Sequence, residues 1–518
     1  MIERYQNNKF LVLYLLPFFL GSLTVFSFQP FNFIFINFLV LPIFFYLLVF
    51  INKKSKSIYR KKPYKKNFFI FGTAFGFGYY LSGIHWIINS LTFDEKFMFL
   101  IPLGLILIPL FLSLFFSILL FFIGPVLKNN LSSLLILSAG LAFSDFIKAK
   151  ILTGFPWNLW AYSFSSFTEV IQLLNLIGLF AFNLIIITFF LLPSVYFLNI
   201  NYVKKFAIFL LLPLLFSFLY IHGNYKINQN QKSLSLVDKK FFVKVVSPNF
   251  NLKYGLTKRE LRERLKKIIR YSEPSKNTET LFVWPEGVFG GYNFKEIKDL
   301  KKTFQSNFSK NHLILFGINR VSKEDDGIYN TMVLVNNELE ILQEYKKQKL
   351  VPFGEFLPLE KLLRRLGIKK ITEGHGSFLK GGKQKNLVFN QLNIFPLICY
   401  EIIFTKLTQN LDDNTNMIIN ISEDGWFGNS IGPHQHFAKS IFRSIEQNLY
   451  LVRSTNKGVS AIINNKGEII KRLNATEAGN IQYEVPLIES KNRNKNDLIF
   501  FVLLITYIFI FRIYKTNK

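Results

Sequence analysis

Half of the 518 residues are hydrophobic, 61 are Phe, and the mean hydropathy is +0.26, which excludes an ordinary water-soluble globule and places the chain in the membrane class. A formal net charge of +29 would suggest a nucleic-acid partner in a soluble protein. Here much of that charge is gathered in short loops between apolar runs, so no nucleic-acid partner is expected.

Crossing a hydrocarbon core of about 30 Å takes roughly 20 mostly apolar residues. Runs of that order lie at about 10–28, 31–51, 68–92, 97–123, 131–147, 167–195 and 205–222, with a shorter one at about 498–514. The first follows MIERYQNNK, a basic start like that of a signal peptide, but the run is long and no small-x-small cleavage site follows, so a retained anchor is expected. The loop NKKSKSIYRKKPYKK (Asn52 to Lys66) carries eight Lys or Arg residues, which assigns it to the cytoplasm by the positive-inside rule. Counting spans from it puts the N-terminus, LKNN (Leu127 to Asn130), NYVKK (Asn201 to Lys205) and the C-terminal RIYKTNK in the cytoplasm, and FDEKF (Phe93 to Phe97) outside.

The expected organisation is therefore a seven-span bundle at 1–222, an extracytoplasmic domain at 223–497, and a last span with its cytoplasmic tail at 498–518. In the middle segment, strand-like runs recur: KFFVKVVS (Lys240 to Ser247), TLFVWPE (Thr280 to Glu286), HLILFG (His312 to Gly317), TMVLVNN (Thr331 to Asn337), NIFPLICYE (Asn393 to Glu401), MIINIS (Met417 to Ser422) and VSAIINN (Val459 to Asn465). Several are continuously apolar, as strands buried on both faces are. A helix is expected after Thr257, which forms a capping box with Glu260, with Leu261, Leu265, Ile268 and Ile269 on one face. Its basic face reads either as solvated or as a contact with anionic lipid. Another helix is expected over about His436 to Tyr450, and strands interleaved with helices give a layered α/β domain.

Cys399 is the single cysteine of the chain. Its placement in a compartment where thiols usually pair asks for a reason, and a nucleophile is one. A thiol with an ordinary pKa of about 8.5 needs a base or a cation beside it. Glu286 in VWPEG stands at a strand end, where Pro285 halts the strand, and Lys347 and Lys349 alternate beside the apolar LVPF. Each of these signals alone reads as a turn or a solvated face. The pair His434 and His436 in HQH is weak evidence for zinc, so no metal and no cofactor is expected.

Taken in order, WPEG, Tyr-x-Lys-x-x-Leu-Val-Pro-Phe-Gly-Glu-Phe and Ile-Cys-Tyr-Glu resemble the Glu-Lys-Cys triad of the nitrilase (carbon-nitrogen hydrolase) superfamily. With the spans around them, and with LVPFGEF, DGWFG, GPHQHF, TGFPW (Thr153 to Trp157) and RSTNKGVSAII (Arg453 to Ile463), the whole chain resembles the membrane branch, the apolipoprotein N-acyltransferases. The resemblance implies an α-helical multi-span membrane bundle joined to a nitrilase-like αββα sandwich. It implies Cys399 as nucleophile, Glu286 as general base and Lys347 as the cation that stabilises the tetrahedral intermediate. Glu355 would be a further acidic residue near the triad, the Tyr400 amide would complete an oxyanion hole, and Glu401 would belong to the surrounding shell. Lys349 stands where relatives commonly carry His, Gly425 where they often carry Ala, and Glu423 where Asn is common.

The implied reaction moves a fatty acyl chain from a phospholipid, through a Cys399 thioester, to the N-terminal amine of an S-diacylglyceryl-cysteine apolipoprotein. It would take place on the periplasmic side of a bacterial inner membrane, in a monomer. Trp157, Trp160, Tyr254 and Trp426 read either as the lining of a lipid portal, and so as substrate-binding residues, or as interfacial anchors; His85 and Asn89 read as cavity or helix-packing polar groups. An amidase that uses water as acceptor, and an inactive transporter or scaffold, are the competing interpretations.

Overall fold

The structure is a computed structural model that describes residues 8–58, 63–253, 255–322, 327–358, 365, 377–383, 385–409, 411–490 and 497–516. The chain divides into two compact units. Met1–Ile88, Met98–Lys226 and Asn494–Lys518 make a helical unit, and Asn89–Phe97 with Ile227–Arg493 makes an α/β unit.

The helical unit contains α1 (Leu16–Leu23, entered through the π turn Leu11–Leu15), α2 (Asn37–Ile58), α3 (Pro63–Ile84), α4 (Ile101–Ile123), α5 (Leu131–Lys150), α6 (Leu179–Leu191), the start of α7 (Tyr202–Ser235) and α11 (Leu498–Thr516). Five helical stretches among the described residues are long and apolar enough to cross a membrane: Ile34–Lys54, Glu95–Val126, Leu131–Lys150, Leu179–Phe197 and Tyr202–Ser235; Leu11–Ser27 and Leu498–Ile513 are shorter apolar helices. Together they fit a membrane protein.

Helix α3 packs through glycine. A Cβ at Gly72 would sit 2.8 Å from the Phe116 carbonyl, and one at Gly76 2.8 Å from Ser113 Cα, so these positions let α3 and α4 approach backbone to backbone. Buried in the same unit, Lys148 Nζ lies 2.9 Å from Asp145 Oδ1 and donates to the Tyr80 hydroxyl at 3.0 Å. Asn183 donates to Asp145 Oδ2 and accepts from the Ala161 amide. Every charge there has a partner, as an apolar surrounding demands.

Three expected spans differ in extent. The run at 68–92 is helical only to Ile84 and continues as 3-10 turns over His85–Phe93, where the polar His85, Asn89 and Ser90 interrupt the apolar pattern. The run at 167–195 is broken before α6 at Gly178, whose φ of +77° no helix accommodates. The run at 205–222 continues into polar sequence as far as Ser235.

Among the described residues of the α/β unit, twelve strands form two six-stranded sheets of order β12-β1-β2-β3-β4-β5 and β11-β10-β9-β8-β7-β6. The first holds β1 (Lys240–Ser247), β2 (Thr280–Val283), β3 (His312–Val321), β4 (Ile328–Val335), β5 (Ile341–Lys346) and β12 (Gly479–Pro486). The second holds β6 (Leu387–Phe389), β7 (Leu392–Ile398), β8 (Met417–Glu423), β9 (Leu451–Asn456), β10 (Ser460–Ile463) and β11 (Ile469–Leu473). In each sheet three neighbouring strands run parallel, β1-β2-β3 and β7-β8-β9, and antiparallel strands complete the edges.

Val243, Val245, Leu281, Val283 and Leu315 of one sheet meet Ile394, Ile398, Ile419, Ile421 and Val452 of the other in a common core. The opposite face of the first sheet, with Phe282, Trp284, Ile314 and Phe316, is covered by α8 (Lys258–Ser272) and α9 (Lys301–Asn307). Strands buried on both faces explain the continuous apolar runs. The Thr257/Glu260 capping box forms as expected, and Leu261, Leu265, Ile268 and Ile269 are the buried stripe of α8. The helix expected over His436 to Tyr450 is α10, Gly432–Gln447: Pro433 opens it and Asn448, in the left-handed region, closes it.

Candidate active site

The parallel strands aim their C-terminal ends at one place, where open α/β sheets usually build their sites. Beyond β2 comes Glu286, beyond β7 Cys399, at the end of β8 Glu423, and beyond β5 Lys347. Cys399 opens a 3-10 turn, Cys399–Ile403, with φ of +51°, an uncommon conformation for a residue with a Cβ and a frequent one at functional turns. Asn420 Nδ2 reaches the Leu397 carbonyl at 3.0 Å and the Cys399 carbonyl at 3.5 Å, which holds this turn against β8.

Lys347 is 1 % exposed, and its Nζ lies 2.9 Å from Glu355 Oε1 and 3.6 Å from Glu286 Oε1. Burial disfavours its ammonium, but the charges of Glu286, Glu355 and Cys399 outweigh that, so its pKa stands above the ordinary lysine value. Burial, and next the Glu286 charge, push the Cys399 thiol well above its ordinary range, against Lys347 and a hydrogen bond with Ser422 that pull it down. Cys399 therefore rests as a thiol, and it would need a base to take its proton before it could attack as a thiolate.

Glu286 is gripped from both sides. Asn330 Nδ2 donates to Oε1 at 2.7 Å and the Glu423 amide donates to Oε2 at 3.1 Å. The same Asn330 amide donates to Glu355 Oε1 at 2.9 Å, and the Val351 amide donates to Glu355 Oε2 at 2.9 Å. Two carboxylates thus share one lysine and one asparagine. Lys346 points elsewhere, with its Nζ 4.3 Å from the Tyr329 ring centroid.

Glu401, two residues after Cys399, is fully buried and fastens the lysine segment to the cysteine turn. Its Oε1 accepts from the Tyr345 hydroxyl at 2.9 Å and from the amides of Gln348 at 2.7 Å and Lys349 at 3.0 Å, and its Oε2 accepts from the Ile398 amide at 2.9 Å. Lys349, the position that departs from the pattern expected of relatives, has its Nζ 5.0 Å from the Phe404 ring centroid.

Beneath β8, Asp424 accepts from Ser422 Oγ at 2.6 Å and pairs with Arg453 Nη2 at 2.9 Å, and His436 Nδ1 lies 2.9 Å from it. Arg453 also donates to the Asn420 side chain. Burial opposes the Asp424 charge, but Arg453 and His436 hold its pKa down to about 2, while burial holds His436 down to about 4, neutral at pH 7. His436 is thus engaged with an aspartate and an arginine, and no group of three or more His, Cys, Asp or Glu placed to hold a metal occurs among the described residues.

The structure brings together Cys399, Glu286, Lys347, Glu355, Tyr400 and Glu401. Trp426 packs edge-on against Phe93 at 5.1 Å, and in the neighbouring turn Asn89 Nδ2 donates to the Phe427 carbonyl at 2.6 Å. Trp157 belongs to the helical unit and is buried beside Trp86, 4.7 Å between ring centroids. Tyr254 lies outside the described residues. Asn330, Asn420, Ser422 and Arg453 were missed from sequence; single polar residues inside apolar strands such as YNTMVLV and MIINIS are the signal that points to them.

Comparison with known proteins follows the same division. Residues 251–492 match the carbon-nitrogen hydrolase family, and residues 20–192 match the apolipoprotein N-acyltransferase N-terminal domain. Apolipoprotein N-acyltransferase from Rickettsia prowazekii (strain Madrid E) is 33% identical over 427 residues, which cover 80% of this chain and 83% of that protein. The chain belongs to the apolipoprotein N-acyltransferase family. The namesake from Rickettsia typhi (strain Wilmington) is 32% identical over 426 residues, 80% of this chain and 83% of that protein, and the one from Rhizobium etli (strain CIAT 652) is 28% identical over 480 residues, 90% and 88%. A crystal structure of a Saccharomyces cerevisiae member of branch 10 of the nitrilase superfamily aligns with 48% of this chain and 91% of its own at 15% identity, with a TM-score of 0.35. The α/β unit of this apolipoprotein N-acyltransferase family member, with its two six-stranded sheets, contains the residues that match the carbon-nitrogen hydrolase family.

Proposed function

We propose that this protein transfers a fatty acyl chain from a phospholipid to the α-amino group of an S-diacylglyceryl-cysteine at the N-terminus of an apolipoprotein, through a thioester on Cys399. The observation that carries the proposal is the buried convergence of a lone thiol, a lysine shared between two carboxylates, and a strained turn at the thiol. Membership of the acyltransferase family supplies the donor and acceptor classes.

Glu286 takes the Sγ proton as sulfur attacks the ester carbonyl carbon of the donor. The negative charge then moves to the carbonyl oxygen, where the Lys347 ammonium and the Tyr400 amide stabilise it, typically the largest catalytic contribution. Collapse breaks the ester C–O bond, Glu286 returns its proton to the leaving alcohol, and the acyl group remains on sulfur. In the second half-reaction the acceptor amine attacks the thioester, loses a proton to Glu286, and the thiol is regenerated as the amide forms. Such a ping-pong order needs an intermediate that water does not reach, and the burial of Cys399, 9 % exposed, supports this. Glu355 keeps Lys347 placed and Glu401 keeps the lysine segment docked.

The location belongs to the same proposal. Eight spans at the runs noted above would set the α/β unit on the periplasmic side of a bacterial inner membrane, with 1–222 as the seven-span part, 223–497 as the catalytic part and 498–518 as the last span and tail. The ring of Trp426 would line the lipid's path, and the protein would act as a monomer.

Incubation with phospholipid in the absence of acceptor tests the chemistry. The expected result is an intact-mass gain of one fatty acyl group, removed by hydroxylamine and absent from Cys399→Ala. A folded, lipid-supplied protein that gains no mass would overturn the acyl-enzyme and favour the amidase, in which water is the acceptor.

A further inference from the structure

Arg453 is 0 % exposed, and all three nitrogens of its guanidinium have partners. Nε donates to the Val459 carbonyl at 3.3 Å, and Nη1 donates to Asn420 Oδ1. Nη2 donates to Asp424 Oδ2 at 2.9 Å and lies 2.9 Å from His436 Nδ1. The strand register explains the reach: Leu397 on β7, Asn420 on β8 and Arg453 on β9 are partners in one row across three parallel strands. Cys399 follows the end of β7, and Asn420 stands between that strand and the arginine.

The contact with Arg453 decides which way the Asn420 amide faces. A guanidinium only donates, so the amide turns its oxygen toward Arg453 and its NH2 group toward β7. The two hydrogens of that group then serve two carbonyls, Leu397 at 3.0 Å and Cys399 at 3.5 Å. Glu401 Oε2 accepts from the Ile398 amide, so both ends of the Leu397–Ile398 peptide are held. Cys399 itself has φ of +51°, a conformation that persists in a residue with a Cβ only where the surroundings enforce it.

A trans peptide is planar, and its C=O and N–H point in opposite directions. The Cys399 carbonyl and the Tyr400 amide belong to one such unit, so whatever fixes the carbonyl toward β8 fixes the amide away from it. We propose that Arg453 and Asn420 are positioning residues for the oxyanion site: Arg453 sets the Asn420 amide, Asn420 holds the Cys399 carbonyl, and the shared peptide plane aims the Tyr400 N–H at the developing oxyanion. Asp424 and His436, against the other side of the guanidinium, keep Arg453 in place. The inference rests on the reading of the Tyr400 amide as oxyanion donor to a carbonyl attacked by Cys399, but not on the identity of the acyl donor or acceptor.

Two probes of Cys399 separate aim from integrity, because both need the thiolate and only one makes an oxyanion. Acylation by p-nitrophenyl butyrate passes through a tetrahedral oxyanion, whereas iodoacetamide loses iodide from a saturated carbon and does not. Each is followed by intact mass in the detergent-solubilised full chain, with Cys399→Ala as the blank. The ratio of the two rates cancels a change in thiol ionisation. Asn420→Asp keeps an acceptor for Arg453 but no donor for the carbonyls, and Asn420→Ala removes both without adding charge. Outright loss of one oxyanion donor costs about 10²–10³ in rate, so the acylation-to-alkylation ratio is expected to fall at least roughly tenfold in both variants. Arg453→Lys, whose single ammonium lacks the fork, is expected to lower the ratio in the wild-type background and to add nothing further in Asn420→Ala. An unchanged ratio in either folded Asn420 variant overturns the proposal. An Arg453→Lys variant that leaves the ratio unchanged, or that acts additively, overturns the part given to Arg453. Thioester formation from phospholipid is followed in parallel. A falling ratio with no thioester from phospholipid in the wild type rejects the phospholipid donor and keeps the positioning, whereas a thioester with an unchanged ratio does the reverse.

Discussion

The Tyr345 hydroxyl donates to Glu401 Oε1 across 2.9 Å, inside a pocket where that carboxylate also collects three backbone amides. One oxygen therefore ties the strand leading to Lys347, and the other ties the end of the strand leading to Cys399. Glu401→Gln keeps the volume but turns an NH2 group toward an N–H donor at one oxygen. It should cost about 1–3 kcal/mol of stability through unsatisfied buried donors, and lower the acyl-enzyme rate by more than tenfold as Lys347 shifts. Tyr345→Phe removes one bond and should cost only about 1 kcal/mol. Thermal unfolding paired with thioester kinetics checks both, and a Glu401→Gln variant indistinguishable from Tyr345→Phe would refute the tie.

Asn330 separates two carboxylates that would otherwise face each other across one lysine. Asn330→Asp replaces the shared donor by a third acid, so one carboxyl must take up a proton or the loop must open. Thioester formation should fall by roughly 100-fold or more at pH 7 and partly recover toward about pH 5, where the added acid is neutralised. Asn330→Ala, which removes the donor without adding charge, should lose less, about tenfold. Equal losses, flat with pH, would mean that the amide acts only as packing.

Motifs with steep chemical demands were legible in the sequence. WPEG, the lysine segment and ICYE each stand at a strand end, and the structure makes neighbours of the side chains they carry. The four strands Lys240–Ser247, Thr280–Val283, Met417–Glu423 and Ser460–Ile463 match the apolar runs closely because two-sided burial leaves a continuous signal. What escaped were strands whose burial is polar or one-sided. β9, LVRSTN, is buried throughout although Arg453, Ser454, Thr455 and Asn456 are hydrogen-bonded to residues outside the strand rather than packing as hydrocarbon. β11 and β12 are edge strands with exposed charges, and β5 alternates too weakly to be told from a loop. The supporting roles of Asn330 and Asn420 escaped for a related reason: an asparagine in a strand states its partner only when the fold is known.

The buried pair Asp145 and Lys148 provides a test within the helical unit. Their side chains are 8 % and 1 % exposed, and removal of one partner leaves an uncompensated charge in an apolar surrounding. Asp145→Asn should destabilise by about 3–5 kcal/mol, whereas Asp145→Asn with Lys148→Met should recover much of that loss. Thermal unfolding of the four proteins of this cycle in one detergent measures the coupling. Additive losses would mean that the pair contributes nothing beyond its separate contacts.

Glu423 gives the α/β unit a stability slope of defined sign. Its ordinary pKa is 4.5, and in the folded protein burial raises it to about 8. Between those values the unfolded chain has released the proton that the folded chain keeps, so unfolding releases a proton and stability falls as pH rises through this window. The contribution is fully present below the unfolded value, is lost progressively, and no longer changes above both. The loss amounts to a few kcal/mol, at about 1.4 kcal/mol for each unit of separation. Glu423→Gln carries no proton to lose. Its midpoint of thermal unfolding should exceed that of the wild type by several degrees at about pH 8.5 and approach it near pH 5. The opposite ordering, with the variant weaker at high pH, would mean that Glu423 is an ionised carboxylate stabilised by the Gly425 and Asn456 amides that donate to it.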